Sequence, residues 1–335
     1  WLKSNSAGTG AYVLRSFKPN EGYILQAREG HWRGDAPIKN VLMRHIPEGA
    51  TQRLLLEKGD IDIAREMTPT DIEGVSGNPE IVVQKDVGGQ IYYLAMNQKV
   101  ADLANPKVLE AMRWAVDYQG MADSILKGQW VVHQSFLPKG FLGALDDTPY
   151  SLDLDKAKAA LAESGVKLPL EVSLTVRNNP ERMNIAQSVQ HTFGQIGINV
   201  TLDVGDGKQV LEKYRGRQHQ IALQTWGPDY PDPHTNASTF AENPDNSDAA
   251  KATGYLAWRT AWDPGAMGAQ AEAAVAEPDA AKRAAMYENM QRVHRDSSAF
   301  VTMFQMARQD ALRTNIKGFH AGGATDQASY WTVTK

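Results

Sequence analysis

The stretch QTWGPDYPDP, residues 224–233, sets Asp229 and Asp232 among Trp226, Tyr230 and three prolines. It follows the apolar run Ile221, Ala222 and Leu223, and His234 comes next. Two carboxylates and an imidazole this close could act as an acid/base pair or as metal ligands. Pro231 and Pro233 favour extended backbone, so the two carboxylates need not converge, and no metal site is expected from them. Asp232, beside Pro233, suits a turn. Asp229 sits between aromatics just off a buried strand, a placement suited to holding a cationic ligand group such as an α-ammonium. A second pattern, Ser124-Ile125-Leu126-Lys127, fits S-x-x-K, in which Lys activates Ser one helical turn away. Its companions S-D-N and K-T-G are missing, and a four-residue pattern with two wildcards arises readily by chance.

Other catalytic signatures fail. None of the eight His forms H-E-x-x-H or a close pair. GTGAYV at Gly8 has Val13 where a dinucleotide loop needs its third glycine, and GDGK at 205 lacks the leading Gly of a phosphate loop. GVSGN around Ser76 misses the nucleophile elbow by one residue. Trp32, Trp114, Trp130, Trp258 and Trp262 read as core or interface packing.

The elements that would position these residues alternate between strand and helix. Strands are expected at 11–17, 23–27 and 41–46, then a helix over 48–58 closed by Gly59. Further strands are expected at 61–64, 81–85 and 91–96. After Asn97 the texture becomes helical: Asn105-Pro106 starts a helix, and Leu109, Met112 and Val116 recur on one face. A second helix is expected over 121–126, then an irregular segment over 130–153. A β-α-β pattern follows, with strands at 170–176 and 198–204 around an amphipathic helix over 181–197. Its apolar stripe is Met183, Ala186, Val189, Phe193 and Ile196. A helix over 208–214 leads to the strand 220–225 and the aromatic–carboxylate stretch. Beyond a polar loop at 242–254, helices are expected at 266–276 and 279–296, and closing strands at 301–306 and 310–313. Helices between strands of this kind imply an α/β fold with sheets flanked by helices.

Composition narrows the class. The chain has 335 residues, 42% hydrophobic, so it can bury a sizeable core, and its length favours two domains. A net charge of −4 with interspersed signs provides no footprint for nucleic acid or an anionic membrane face. The absence of Cys excludes disulfides and thiolate chemistry. The chain opens on Trp1 without a secretory signal, so a processed or truncated product is expected.

Taken in order, the segments resemble the extracytoplasmic solute-binding proteins of ABC importers, in the peptide/nickel (oligopeptide- and dipeptide-binding) family. The resemblance runs through GTGAYVLRSFKPNEGYILQAREGHWRGDAPIKNVLMRHIPEGATQRLLLEKGDIDIA, with its Trp32-Arg33-Gly34 turn, then YYLAMN and NPKVLEAMRWAVDYQGMADSILKGQ. It continues in LDLDKAKAALAESG and WGPDYPDP, so it spans nearly the whole chain. The S-x-x-K match lies inside the third of these blocks.

This resemblance implies a two-lobed periplasmic-binding-protein-like α/β fold, with mixed sheets flanked by helices and lobes that close on a ligand by hinge motion. Lobe one would comprise 1–97 and 314–335, and lobe two 98–313. The family's G-T-G block is preceded by further strands and an extra domain, so lobe one is expected to be incomplete. The implied function is capture of a peptide or similar small amino-containing solute in the periplasm, or outside a membrane anchor, and delivery to a membrane permease. No catalytic residue, metal, cofactor or nucleic acid is expected, and the chain is expected to be a monomer. The family's ammonium-holding Asp maps onto Asp229, with Trp226 and Tyr230 beside it. No local motif specifies a basic residue for the ligand's carboxylate. Arg177, at a strand end, is a candidate, and Asn97, closing YYLAMN, is a further ligand-binding candidate. Nickel chelates, opines, sugars and haem are alternatives within the family. A carboxylate-based hydrolase using Asp229 and Asp232, or a serine acyl-transferase using Ser124 and Lys127, is the competing class.

Overall fold

A computed structural model describes residues 1, 5–322 and 327–335. Residues 2–4 and 323–326, both in segments expected to belong to lobe one, lie outside the described residues. The chain forms two compact units, residues 1–86 with 307–335, and residues 87–306.

The first unit begins with three antiparallel strands, β1 (Tyr12–Lys18), β2 (Gly22–Ala27) and β3 (Asn40–Arg44), in sequential order. The tight β1–β2 turn needs glycine: Gly22 has φ 144° and its α-carbon faces the Met43 carbonyl too closely for a Cβ. Helix α1 (Gly49–Lys58) ends at Gly59, which adopts the left-handed conformation expected at that position. Strand β4 (Ile63–Arg65) and helix α2 (Pro69–Val75) follow. Leu56, Ala64, Met67, Ile72 and Val75 form their shared core.

Strand β5 (Ile81–Met96) carries the chain into the second unit. Two strands, 81–85 and 91–96, are expected here, but the strand is continuous over 16 residues and runs through Gly88 and Gly89. Gly88 stays extended because Met306 packs against its α-carbon and its carbonyl accepts from Gln305 Nε2 at 2.9 Å.

In the second unit α3 (Pro106–Trp114) is capped by Asn105, whose side chain accepts from the Lys107 amide. Asp117 caps α4 (Tyr118–Asp123), which moves that helix upstream of its expected 121–126 span. Strand β6 (Trp130–Val132) occupies the start of the segment expected to be irregular. Then come α5 (Leu154–Ser164), β7 (Leu170–Arg177), α6 (Pro180–Gly194), β8 (Ile198–Gly205), α7 (Gly207–Arg215) and β9 (Ile221–Trp226). Helices α8 (His234–Ala241), α9 (Leu256–Arg259), α10 (Met267–Ala276) and α11 (Ala280–Ser297) complete the helical part. Strand β10 (Phe300–Arg313) returns the chain to the first unit as one strand, where two were expected. There it pairs with β4, and the hairpin β11 (His320–Gly322) and β12 (Gln327–Ser329) closes the chain.

The second unit's sheet runs β10-β5-β9-β7-β8, with β6 beside β10. β9 is antiparallel to β5 and parallel to β7, and β7 is parallel to β8. Alternation divides each strand between two cores. Tyr92, Leu94, Ile221 and Leu223 face the core that also holds Met112, Ile185 and Phe193. Tyr93, Ala95 and Ala222 face the other core, with Phe240, Tyr287 and Phe300. All five residues of the expected α6 stripe lie in or against the first of these cores.

Candidate functional site

The parallel strands β7, β8 and β9 end on one edge of the second unit's sheet, the edge where open α/β sheets hold ligands. At the end of β9, Trp226 is half-buried against the second core, and its Nε1 donates to Asn236 Oδ1 at 3.3 Å. Gly227 and Pro228 then lead to Asp229. Its amide donates to Thr235 Oγ1 at 3.1 Å, which fixes its backbone. Its carboxylate is exposed and makes no hydrogen bond or ion pair with any described residue. Tyr230 is 45% exposed beside it, and burial together with the Asp232 and Asp229 charges raises the phenol's pKa.

Asp232 differs from Asp229 in every contact. Its carboxylate receives Arg283 Nη2 at 2.8 and 3.0 Å and the His234 amide at 2.8 Å. Arg283 is held in turn by the Ala274 carbonyl, to which its Nε donates at 3.0 Å. Asp232 thus ties the start of α8 to α11, as a turn-forming residue should.

On β7, Arg177 occupies the last position, with its Nε buried and without a hydrogen-bond partner among the described residues. Burial, and then the like charge of Arg182, lower its pKa from the usual arginine value. Arg182 enters from the first turn of α6, where Asn179 caps the helix and Pro180 stands at its start. Its Nη2 donates to Thr225 Oγ1 at 3.0 Å and its guanidinium lies 5.3 Å from the Tyr92 ring centre, while Nη1 is buried without a hydrogen-bond partner among the described residues. The acid next to it, Glu181, is engaged by Tyr92 Oη at 2.7 Å and Trp130 Nε1 at 3.1 Å. Two guanidinium groups therefore stand together at a strand end with no ion pair to any described acid. Sequence reading singled out Arg177 and missed Arg182, although the Asn179-Pro180 cap signalled a side chain presented from a helix start.

Asn97 is 3% exposed, and backbone contacts occupy its amide. Nδ2 donates to the Arg217 and His219 carbonyls at 3.0 and 2.8 Å, and Oδ1 accepts from the Lys99 amide at 3.1 Å. It anchors the end of β5. The S-x-x-K pattern lies outside α4, which ends before Ser124, in a turn where the Lys127 amide donates to the Ser124 carbonyl at 3.3 Å. The Ser124 hydroxyl instead donates to the Gly120 carbonyl.

His234 does not converge with Asp229 and Asp232. Its neighbours are Glu242, just past the end of α8, and Glu272 on α10, with one ligating atom from each of the three within 4.8 Å of the others. Glu242 is 8% exposed; burial first, and then the Glu272 charge, push its carboxyl up to about 7. Nothing in the sequence pointed to Glu242 or Glu272. A cavity of about 760 Å³ also lies in the first unit, walled by β3 and the C-terminal segment, where Asp62 pairs with Lys335 at 2.9 Å.

The family described as "Bacterial extracellular solute-binding proteins, family 5 Middle" matches residues 1–248. The chain is 28% identical over 322 residues to the "Probable D,D-dipeptide-binding periplasmic protein" of Escherichia coli (strain K12), covering 95% of this chain and 61% of the relative. It is 29% identical over 252 residues to the nickel-binding periplasmic protein of the same organism, covering 70% of this chain and 48% of that one. Among solved structures it is similar to an ABC transporter-associated periplasmic binding protein from Helicobacter pylori in complex with the peptide STSA. There the TM-score is 0.84 at 23% identity, over 97% of this chain and 62% of that one. The chain thus spans less than two thirds of the length of these curated relatives.

Proposed function

Because the chain belongs to the bacterial extracellular solute-binding proteins of family 5, we propose that it captures peptides or similar small amino-containing solutes in the periplasm and delivers them to the permease of an ABC importer. The observation that carries this reading is the Asp229 carboxylate. It is exposed, is fixed through its backbone, stands beside Trp226 and Tyr230, and lacks any cationic partner among the described residues. Such a group receives an α-ammonium by a charge-assisted hydrogen bond, with the aromatic rings as walls. Arg177 and Arg182, at the ends of β7 and α6, supply the complementary charge for a carboxylate. Asn97 supports this set by holding the end of β5 and does not itself touch the solute. The chain binds and releases its solute unchanged: the Ser124 hydroxyl is committed to the Gly120 carbonyl, and Asp232 is neutralised by Arg283. It acts as a monomer without nucleic acid.

The test is calorimetric titration with short peptides carrying free, N-acetylated or C-amidated ends, followed by mass spectrometry of the recovered peptide. Asp229→Ala is expected to weaken binding of free-amine peptides by about tenfold or more, the worth of one charge-assisted contact, and to change N-acetylated peptides little. Equal loss for both sets would remove the ammonium role, and recovery of cleaved peptide would overthrow the receptor reading.

A further inference from the structure

We propose that His234, Glu242 and Glu272 form a binding site for a divalent transition-metal ion of the zinc class, independent of the solute grip at Asp229. The three residues come from the first position of α8, the position just past its last turn, and the neighbouring α10. They bring a ring nitrogen and two carboxylate oxygens within 4.8 Å of one another.

Glu242 is more than nine-tenths buried, and its Oε1 has no hydrogen-bond partner among the described residues; His234 Nδ1 is buried and equally without one among them. A buried polar atom left unpaired is destabilising, and more so when charged. Two carboxylates placed together add electrostatic repulsion. A bound cation would offset these costs together. One imidazole and two carboxylates make the mixed nitrogen–oxygen set of an open zinc site, with the fourth position left to water. Calcium and magnesium prefer six or more oxygens, and this cluster provides too few. Glu272 is exposed, so it leaves an entry path and is the arm free to rotate onto the ion. Asp232, two residues from His234, is committed to Arg283 and takes no part.

The full chain, stripped with chelator and dialysed, is titrated with Zn²⁺ against a chromophoric competitor, with melting followed in parallel. One equivalent is expected to bind and to raise Tm, and Co²⁺ in its place should produce the visible bands of a four- or five-coordinate ion. His234→Asn and Glu242→Gln are each expected to weaken Zn²⁺ binding by about tenfold or more, with affinity falling as acid protonates the ligands. Glu272→Gln, at an exposed position, provides the variant whose fold is not in question. No saturable zinc binding, binding unchanged in all three variants, or equal stabilisation by Ca²⁺ or Mg²⁺ would each overturn the site. Peptide titration of the same samples separates its failure from failure of the solute reading.

Discussion

Asp229 and Asp232 stand three positions apart and do opposite work. Asp232 is consumed by structure: Arg283 at 2.8 Å and the His234 amide use its oxygens, and this locks the entry to α8. Asp229 has its amide tied to Thr235 and its carboxylate left over. The two can be separated by experiment. Asp232→Asn is expected to lower stability by about 1–2 kcal/mol, since it removes half of a charge-assisted pair, and to leave discrimination between free and acetylated peptides intact. Asp229→Asn is expected to leave Tm nearly unchanged and to erase that discrimination. Thermal melts paired with the two peptide titrations read both outcomes, and the reverse assignment would show the roles to be exchanged.

At the level of elements, the strands most readily recognised were β7, β8 and β9, whose apolar positions are strongly marked. The misreadings have local causes. Gly88 and Gly89 lie in the gap between the expected strands 81–85 and 91–96; glycine is a poor strand former, yet neighbouring strands hold that backbone extended. Helix α8 contains Thr235, Asn236, Ser238 and Thr239, poor helix formers whose helix is secured by packing of Ala237, Phe240 and Ala241 into the second core. Gly88 offers a direct check. A Cβ there would meet the Met306 side chain at 3.0 Å, so Gly88→Ala is expected to cost about 1–3 kcal/mol through overpacking. Met306→Ala in the same chain should recover much of that loss. Additive losses in a denaturant-based double-mutant cycle would place the constraint in the backbone instead.

For the whole molecule, three buried histidines in the second unit shape stability against acid. Burial lowers His133 to about 4, and His219 and His294 to about 3. His294 sits among Phe136, Phe240, Trp262 and Phe300. Their folded-state pKa values lie below the ordinary 6.5, so the folded state prefers them neutral. That contribution is complete above pH 6.5 and is lost progressively as pH falls toward 3–4, each histidine costing about 1.4 kcal/mol per pH unit. Chemical denaturation at pH 7 and pH 5 is expected to show a marked loss, reduced in His294→Phe. An equal loss in that variant would assign the acid sensitivity to other groups.

The sequence by itself determined the α/β alternation and the ordered blocks that place the chain in its family. It also determined the aromatic–carboxylate stretch on which the functional reading turns. These are local properties: hydrophobic period, caps, turns and fixed spacing survive in one dimension. Tertiary structure alone decided which charges remain unspent. Arg283, fifty-one positions from Asp232, neutralises that residue. Arg182 joins Arg177 because α6 starts where β7 ends, and Glu242 and Glu272 meet His234 because α8 packs on α10. A side chain's type is written in the chain, but whether it has a partner depends on what folding brings within reach of it.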